Sequence, residues 1–499
     1  MDDLLTLASR RDFLREISAL GAASLALWSG GCESCLQQIE TEVANRPTRR
    51  NIQTVWDSNP SDPIITTYKA AVTAMRGLPS SDPRNWSNQA NIHFNSCLHR
   101  NWLWLPWHRV YLLYFERICR KLTGNDTFAL PYWNWNTHPA VPDPFWDTSS
   151  PLFDSNRAIT QTDQASSSYI GTSVLQGILS ETNFELFASL KPVSGQNLHL
   201  PPPPTSPTEG ALESTPHDNI HVFVGCPGGD MCGFHSPLDP VFYTHHCMLD
   251  CLWAHWNIDL GNANTSDPDW MNYSITDFVD ENGNPVTVSV ATTVLFPILS
   301  YQYEPCSLAG ATQGAQKKLQ GRQLVQFLKT GAPSKLEWVQ RFELRQEIAA
   351  EVGKPATVTV KTESAALQSA LQADTRTRVV LTLAEIEVPE RRDFFVRVFL
   401  DKPDASAETP IDDPHYAGSY AFFFDDAARK NHQGAAEMPG RPKTGLLIDV
   451  RPTLARLSQA GSLPPGEVSV SFVPVPSSSH AAPTEQLKLN RLELAVARF

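Results

Sequence analysis

The sequence predicts a mainly α-helical domain with long loops, followed by an all-β sandwich. Three observations carry that prediction. Residues 51–303 of the 499-residue chain hold most of its 13 Trp and 14 His, in helix-length apolar runs separated by Pro-, Ser- and Asp-rich stretches. From Pro355 onward apolar and polar residues alternate, the period of strands with one face buried. Between these regions, residues 310–354 shift toward Gln, Lys, Arg and Glu and read as a linker with helical pieces. A chain of this length holds two or three domains at roughly 150 residues each. With 41% hydrophobic and 19% charged residues it has the composition of an ordered protein. A net charge of −13 without any basic cluster excludes nucleic acid or an anionic membrane as the main partner.

The elements follow in chain order. Residues 1–37 read as an export signal, with Arg10 and Arg11 ahead of Phe13 and Leu14, an apolar run over 17–28, and Gly30-Gly31 before Cys32. The paired arginines resemble the bacterial twin-arginine signal, which implies a periplasmic or secreted protein. That run is shorter than the roughly 18–20 residues of a membrane span, and no later stretch is long enough. Residues 38–309 form the helical domain, with helices expected over 104–122 and 240–258 and loops over 139–155 and 200–207. The four prolines from Pro201 to Pro204 force an extended surface loop. In the tail, residues 355–499, strands are expected at Val358 and Val360, over 379–388, at Phe394-x-Val396-x-Val398 and at Val468-x-Val470-x-Phe472. Nine cysteines are too few for a disulfide scaffold, although Cys226 and Cys232 are spaced for one small disulfide.

The histidines carry the chemistry. His93, His99 and His108 lie close together. Nine residues turn a helix through about 900°, which leaves His99 and His108 on opposite faces. His99 therefore belongs to the loop before a helix that begins near Pro106, a residue favoured in first turns, and His108 projects from that helix. His217 and His221 are spaced i, i+4 and share one face of a helix that starts around Ser214 to Pro216. His246 follows in Asp239-Pro-Val-Phe-Tyr-Thr-His245-His246-Cys-Met-Leu-Asp250, where Asp250, one turn beyond, is expected to orient its ring. Two sets of three histidines, without a carboxylate in ligand spacing, suit zinc or copper. A dinuclear zinc hydrolase lacks its usual bridging carboxylate here.

These segments resemble the type-3 copper polyphenol oxidases, the tyrosinases and catechol oxidases. Asp239 to Asp250 is similar to the family's second-site signature, His217 and His221 to the paired ligands before it, and His93 to His108 to the first site. Phe128-Ala-Leu-Pro-Tyr-Trp-Asn-Trp135 resembles the segment that trails the first site. Asp267-Pro-Asp-Trp270 and Tyr301-Gln-Tyr303 look like the segments that follow the plant catalytic core, and the β-rich tail resembles the plant C-terminal domain that covers the active-site entrance. With the paired arginines, the resemblance is to a bacterial protein of plant-like architecture.

The resemblance implies a four-helix bundle around a dicopper centre. Two copper ions would be held by His93, His99 and His108 and by His217, His221 and His246, with His246 rather than His245 as ligand. Cys97 would be joined to His99 by a thioether. Glu213 matches the family glutamate that holds a water for phenol deprotonation, while Asp218 stands where efficient tyrosinases have Asn, which puts monophenol hydroxylation in doubt. Cys251 replaces a common Arg, so an ion pair is expected to be missing, and Arg109 and Glu116 are expected to be structural partners. The implied activity is oxidation of o-diphenols to o-quinones by O2, with phenolic small molecules as partners. The alternative is a dioxygen carrier of hemocyanin type.

Overall fold

The computed structural model describes residues 46–306, 308, 337–374, 376–425 and 441–499. The export-signal reading at 1–37 lies outside them. The chain divides into two compact units, one from Met1–Cys97, Leu103–Asp154 and Pro237–Pro333, the other from Leu98–Trp102, Ser155–Ser236 and Ser334–Phe499. This division differs from the expected boundaries at 309 and 355, because residues 155–236 cluster with the tail. No helix among the described residues is long and apolar enough to cross a membrane.

Five helices organise the histidine-rich part: α1 (Pro63–Gly77), α2 (Trp86–Ser96), α3 (Trp104–Thr123), α4 (Asp218–Gly225) and α5 (Val241–Ala254). All but α4 belong to the first unit. Asp62 caps α1 through the Ile64 amide with Pro63 in its first turn, and Asn85 caps α2 through the Ser87 amide. α3 carries Pro106 in its first turn and stops at Gly124, whose φ of 68° suits glycine. α5 is buried along its whole length, so apolar residues lie on every side of it and its polar groups, His245, His246 and Asp250 among them, are buried with it. α3 packs against both α1 and α5.

A buried ionic network crosses this unit. The two-residue strands Thr48–Arg49 and Gln302–Tyr303 pair in parallel. They bring the fully buried Arg49 to Glu116 (3.0 Å), Asp250 (3.2 Å) and the Tyr303 hydroxyl (2.8 Å). Asp250 also accepts from Arg109 and from the Tyr301 hydroxyl, and Glu116 from Arg120 and the Leu130 amide. Burial alone would raise the Asp250 pKa, but Arg109, Arg49 and the two tyrosines outweigh it and hold the carboxylate low. One expectation is corrected here: Asp250 does not orient His246, because both of its oxygens are taken by arginine and tyrosine donors. Cys251, which stands where an arginine was expected, forms a disulfide with Cys306, and Asp250 has its ion pairs with Arg49 and Arg109.

The second unit contains two four-stranded antiparallel sheets. Its strands are β1 (Glu337–Ala350), β2 (Ala356–Lys361), β3 (Thr377–Glu387), β4 (Phe394–Leu400), β5 (Tyr416–Tyr420), β6 (Lys443–Asp449), β7 (Glu467–Pro476) and β8 (Leu487–Arg498). One sheet has the order β6-β3-β8-β1 and the other β2-β7-β4-β5. Val379, Leu381 and Leu383 of the first share one buried cluster with Phe394, Val396 and Val398 of the second, which makes the pair a sandwich. Two helices, α6 (Ser364–Gln372) and α7 (Arg451–Gln459), accompany the strands, so the tail is not all-β. The segment read as a linker contains β1. Its residues from Glu337 to Glu347 are not buried, so charges at Arg341, Glu343, Arg345 and Glu347 dilute the apolar alternation that marks a strand.

Candidate metal centre

In the first unit α2 supplies His93, α3 His108 and α5 His246, all buried. The rings of His108 and His246 stack with centroids 4.6 Å apart, and His93 lies edge-on to His108 at 5.4 Å. His108 Nδ1 faces the Trp104 carbonyl at 2.7 Å and His246 Nδ1 the Phe242 carbonyl at 3.0 Å. A carbonyl only accepts, so each Nδ1 carries the proton and each Nε2 keeps its lone pair for another electrophile. His245, also buried, points its ring edge-on to His246. Cys97, buried and outside any disulfide, caps α2 by donating its amide to the His93 carbonyl (3.1 Å).

The second unit gathers His99, His217 and His221. Ring centroids are 5.0 Å apart for His99 and His217 and 4.6 Å for His217 and His221. His99 sits in the loop before α3, as expected. His217 ends a widened helical turn over Glu213–His217 that runs into α4. Pro216 lies inside that turn rather than at a helix start. Proline has no amide to donate to the preceding turn, which accounts for the local widening. His221 Nδ1 donates to the Met231 carbonyl (2.9 Å), while His217 Nδ1 meets Asp218 Oδ1 at 2.7 Å. Cys226 and Cys232, which flank that carbonyl's segment, form the expected disulfide.

Glu213 is fully buried and faces His99 Nδ1 at 3.2 Å. It accepts from the Arg100 amide (2.7 Å) and from the Ser189 hydroxyl. Burial, then the nearby charge of Glu209, raises its pKa well above the usual carboxylate range. Burial, Glu209 and Glu213 do the same to Asp218. Arg100, buried with φ of +60°, pairs with Glu209 through Nε. Three buried carboxyl groups thus face one guanidinium, a balance that a bound cation would offset. With neutral imidazoles whose Nδ1 protons are committed, this donor set fits a borderline metal such as copper. The residues that could hold it are His93, His108 and His246 in one unit and His99, His217 and His221 in the other.

The tail supplies a group that the sequence did not point to. Phe423 stacks on His221 at 4.1 Å and meets His217 and His99 edge-on, each at 5.3 Å. Its carbonyl accepts from Arg100 Nη2 at 2.6 Å. Phe234 stacks on His99 at 5.3 Å, and its amide donates to Asp425 at 2.7 Å. A Cβ on Gly233 would lie 2.6 Å from Asp425 Oδ2, so glycine permits that approach. The only sequence cue for Phe423 is the run Phe422-Phe423-Phe424, which breaks the alternation after β5. Arg100, Glu209 and Arg49 carried no cue at all.

The common central domain of tyrosinase matches residues 73–206 and 202–259, and the polyphenol oxidase middle domain matches residues 264–313. The chain is 27% identical over 478 residues to (+)-larreatricin hydroxylase, chloroplastic, of Larrea tridentata, covering 87% of this chain and 77% of that protein. It is 34% identical over 292 residues to the chloroplastic latent form of polyphenol oxidase of Prunus armeniaca, covering 50% of this chain and 47% of that protein. The fold resembles latent apple tyrosinase with a TM-score of 0.63 at 21% identity, covering 91% of this chain and 97% of that chain. These relatives are plant proteins, and both curated ones are chloroplastic. That overturns the expectation of a bacterial protein exported to the periplasm or medium. The match to the tyrosinase central domain thus spans every histidine described above, and the match to the polyphenol oxidase middle domain follows directly after it.

Proposed function

We propose that the protein is a polyphenol oxidase that uses O2 to oxidise o-diphenols to o-quinones at a dicopper centre. The observation that carries this reading is that the matched central domain, residues 73–259, contains all seven histidines buried among the described residues, the six expected ligands and His245. His93, His99 and His108 would hold one copper, and His217, His221 and His246 the other. When bound, the copper pair supplies the two-electron exchange between diphenol and dioxygen. The chain's own residues do the rest. The carbonyls of Trp104, Phe242 and Met231 fix the tautomers of His108, His246 and His221, so their Nε2 atoms point as ligands without rotation. Cys97 would tie His99 through a thioether. Phe234, stacked on His99, offers an aromatic face for a substrate ring.

Two phenolic protons must leave the diphenol. Glu213, held by Arg100, Ser189 and His99, is the acceptor best placed among the buried acids, and its raised pKa lets it keep a proton near neutral pH. Asp218 fixes His217, and the burial and neighbouring carboxyl groups that raise its own pKa also disfavour a phenolate beside it, which favours diphenols over monophenols. The tail, from β1 onward, acts as a shield, with Phe423 over His99, His217 and His221. The test is catechol oxidation by copper-loaded protein before and after removal of residues beyond 336, with copper counted per chain. Two coppers with turnover after removal is the expected result. Copper-replete protein that never oxidises catechol, even without the tail, would refute the oxidase reading.

A further inference from the structure

The carbonyls that fix the imidazole tautomers are not supplied alike. His108 and His246 donate to carbonyls four residues earlier in their own helices, Trp104 and Phe242, so forming α3 and α5 already makes those bonds. His221 donates instead to Met231, ten residues later and outside α4. A carbonyl on a loop fixes a ring only when the loop is itself fixed. Here the Met231–Cys232 peptide lies on the end of α4. Gly225 is one helical turn beyond His221 and shares its face. A Cβ on Gly225 would stand 2.5 Å from the Met231 carbonyl carbon and closer still to the Cys232 nitrogen, so glycine permits the approach. The next residue, Cys226, is bonded to Cys232, and the two are 2% and 3% exposed. The disulfide thus fastens the nitrogen side of the same peptide whose oxygen accepts from His221. Other holds on that peptide are slight. Asp230–Cys232 is a single turn, closed by the Cys232 amide on the Gly229 carbonyl at 3.0 Å, and so short a turn is not stable alone. Arg392 Nη1 reaches the Cys232 carbonyl at 3.1 Å, one peptide further on.

We infer that the Cys226–Cys232 disulfide is a positioning element for His221: it keeps the Met231 carbonyl on Nδ1 and so leaves Nε2 unprotonated and aimed as a metal ligand. Without the disulfide, the ring can turn about its Cβ–Cγ bond and carry its proton on either nitrogen. Metal binding must then order both the loop and the ring, which lowers affinity. The effect stays local. Beyond Gly233 the chain is held again, by Asp425 on the Phe234 amide at 2.7 Å. His99 and His217 keep the carboxyl groups of Glu213 and Asp218 at Nδ1, and His108 and His246 keep their helix carbonyls. Only the copper proposed for His217, His221 and His246 is weakened. This role rests on the reading that these histidines hold copper, and not on catechol oxidation.

The test reads metal affinity rather than turnover. Metal-free full chain is titrated with Cu(I) against a chromophoric Cu(I) chelator of known affinity. Wild type should take two coppers. Cys226→Ser/Cys232→Ser should keep one at wild-type affinity and bind the other about 10- to 100-fold more weakly, the usual cost of losing a group that orients a ligating histidine. Gly225→Ala keeps the disulfide but pushes the Met231–Cys232 peptide off α4, and should weaken the same copper. In metal-free protein with isotope-labelled histidine, the magnetic resonance signal of the His221 Nδ1 proton, assigned by its absence from His221→Gln, should exchange with water faster in both variants. Retained affinity for the other copper shows that each variant is folded. If the double variant fails to fold, the same pattern in Gly225→Ala decides the matter. Two coppers at wild-type affinity in a folded variant lacking the disulfide overturns the inference, and so does equal weakening of both, the mark of general loosening. Wild type that takes fewer than two coppers would instead overturn the dicopper reading.

Discussion

Replacing Phe423 by Ala should turn a latent enzyme into a partly open one. The ring is 2% exposed and touches His221, His217, His99 and Phe234. Moving a buried Phe side chain into water costs about 2–3 kcal/mol, and that difference separates docked from undocked tail. The Arg100 bond to the Phe423 carbonyl survives the substitution, because it uses the backbone. At 1.4 kcal/mol per tenfold, the undocked fraction rises about 30- to 150-fold, and while it remains small the apparent kcat/KM of the uncleaved protein rises with it. The assay is initial-rate oxidation of catechol by copper-loaded full chain, divided by the rate of the same protein after tail removal. In the variant this ratio should approach one. Thermal melts of both proteins separate opening from unfolding. A ratio unchanged by Phe423→Ala, in a folded variant whose truncated form is active, would show that Phe423 is not what closes the site.

Three further outcomes follow from the buried charges. Asp218→Asn keeps an acceptor for His217 Nδ1, now 2.7 Å away, and removes one of the crowded carboxyl groups that compete with a phenolate for negative charge, so tyrosine turnover relative to catechol should rise about tenfold for each 1.4 kcal/mol of repulsion relieved; an unchanged ratio would count against the charge argument. Arg49→Met leaves Glu116 with Arg120 and Asp250 with Arg109, so the loss should sit near the low end for a broken buried pair, about 3 kcal/mol, read as a lower unfolding midpoint in denaturant. Asp449 has its pKa pushed up to about 7 by burial, so the folded chain binds a proton that the unfolded chain releases between about pH 4 and 7. Stability is therefore lost as pH rises through that window. The full shift is worth about 4 kcal/mol at 1.36 kcal/mol per pKa unit, and with 22% of the side chain in water about half is expected. Asp449→Asn should remove that loss, and a flat difference between pH 4 and 8 would refute it.

The parts legible in the sequence are those set by short-range periodicity. His217 and His221 four residues apart, Pro106 opening α3, and the alternation in β2 and β7 each depend on neighbours within one turn or one strand. The parts that were not legible depend on contacts across long separations. Asp250 read as a partner for His246 because the two are one turn apart, yet its donors are Arg49, Arg109, Tyr301 and Tyr303. No local pattern tells a carboxylate which arginine 201 residues away will reach it. β1 was missed for a different reason: Phe342, Leu344, Ile348 and Ala350 share its core-facing side, but the exposed Gln346 interrupts them and most other residues of the strand are exposed, so the alternation that reveals strands is short and broken. Phe423 looked like one more apolar residue in the tail, because its role comes from a contact with histidines about 200 residues earlier.

Arg100 shows how the shield and the chemistry become one problem. Its amide holds Glu213, its Nε pairs with Glu209, its Nη2 holds the Phe423 carbonyl, and its own carbonyl accepts from Thr208. Four hydrogen bonds in opposed directions keep a non-glycine residue at φ +60°, a conformation that costs of order 1–3 kcal/mol unless its surroundings enforce it. One of the four comes from the tail. When the tail leaves, Phe423 uncovers the imidazoles and, in the same step, Arg100 loses the acceptor at its Nη2 while keeping Glu209. The backbone that carries His99 and presents an amide to Glu213 is then held by three bonds instead of four. On the proposed shielding, undocking both exposes the histidines and loosens the residue that positions the buried acid, so the proposed latency rests on the His99–Arg100 backbone as much as on the ring that covers it.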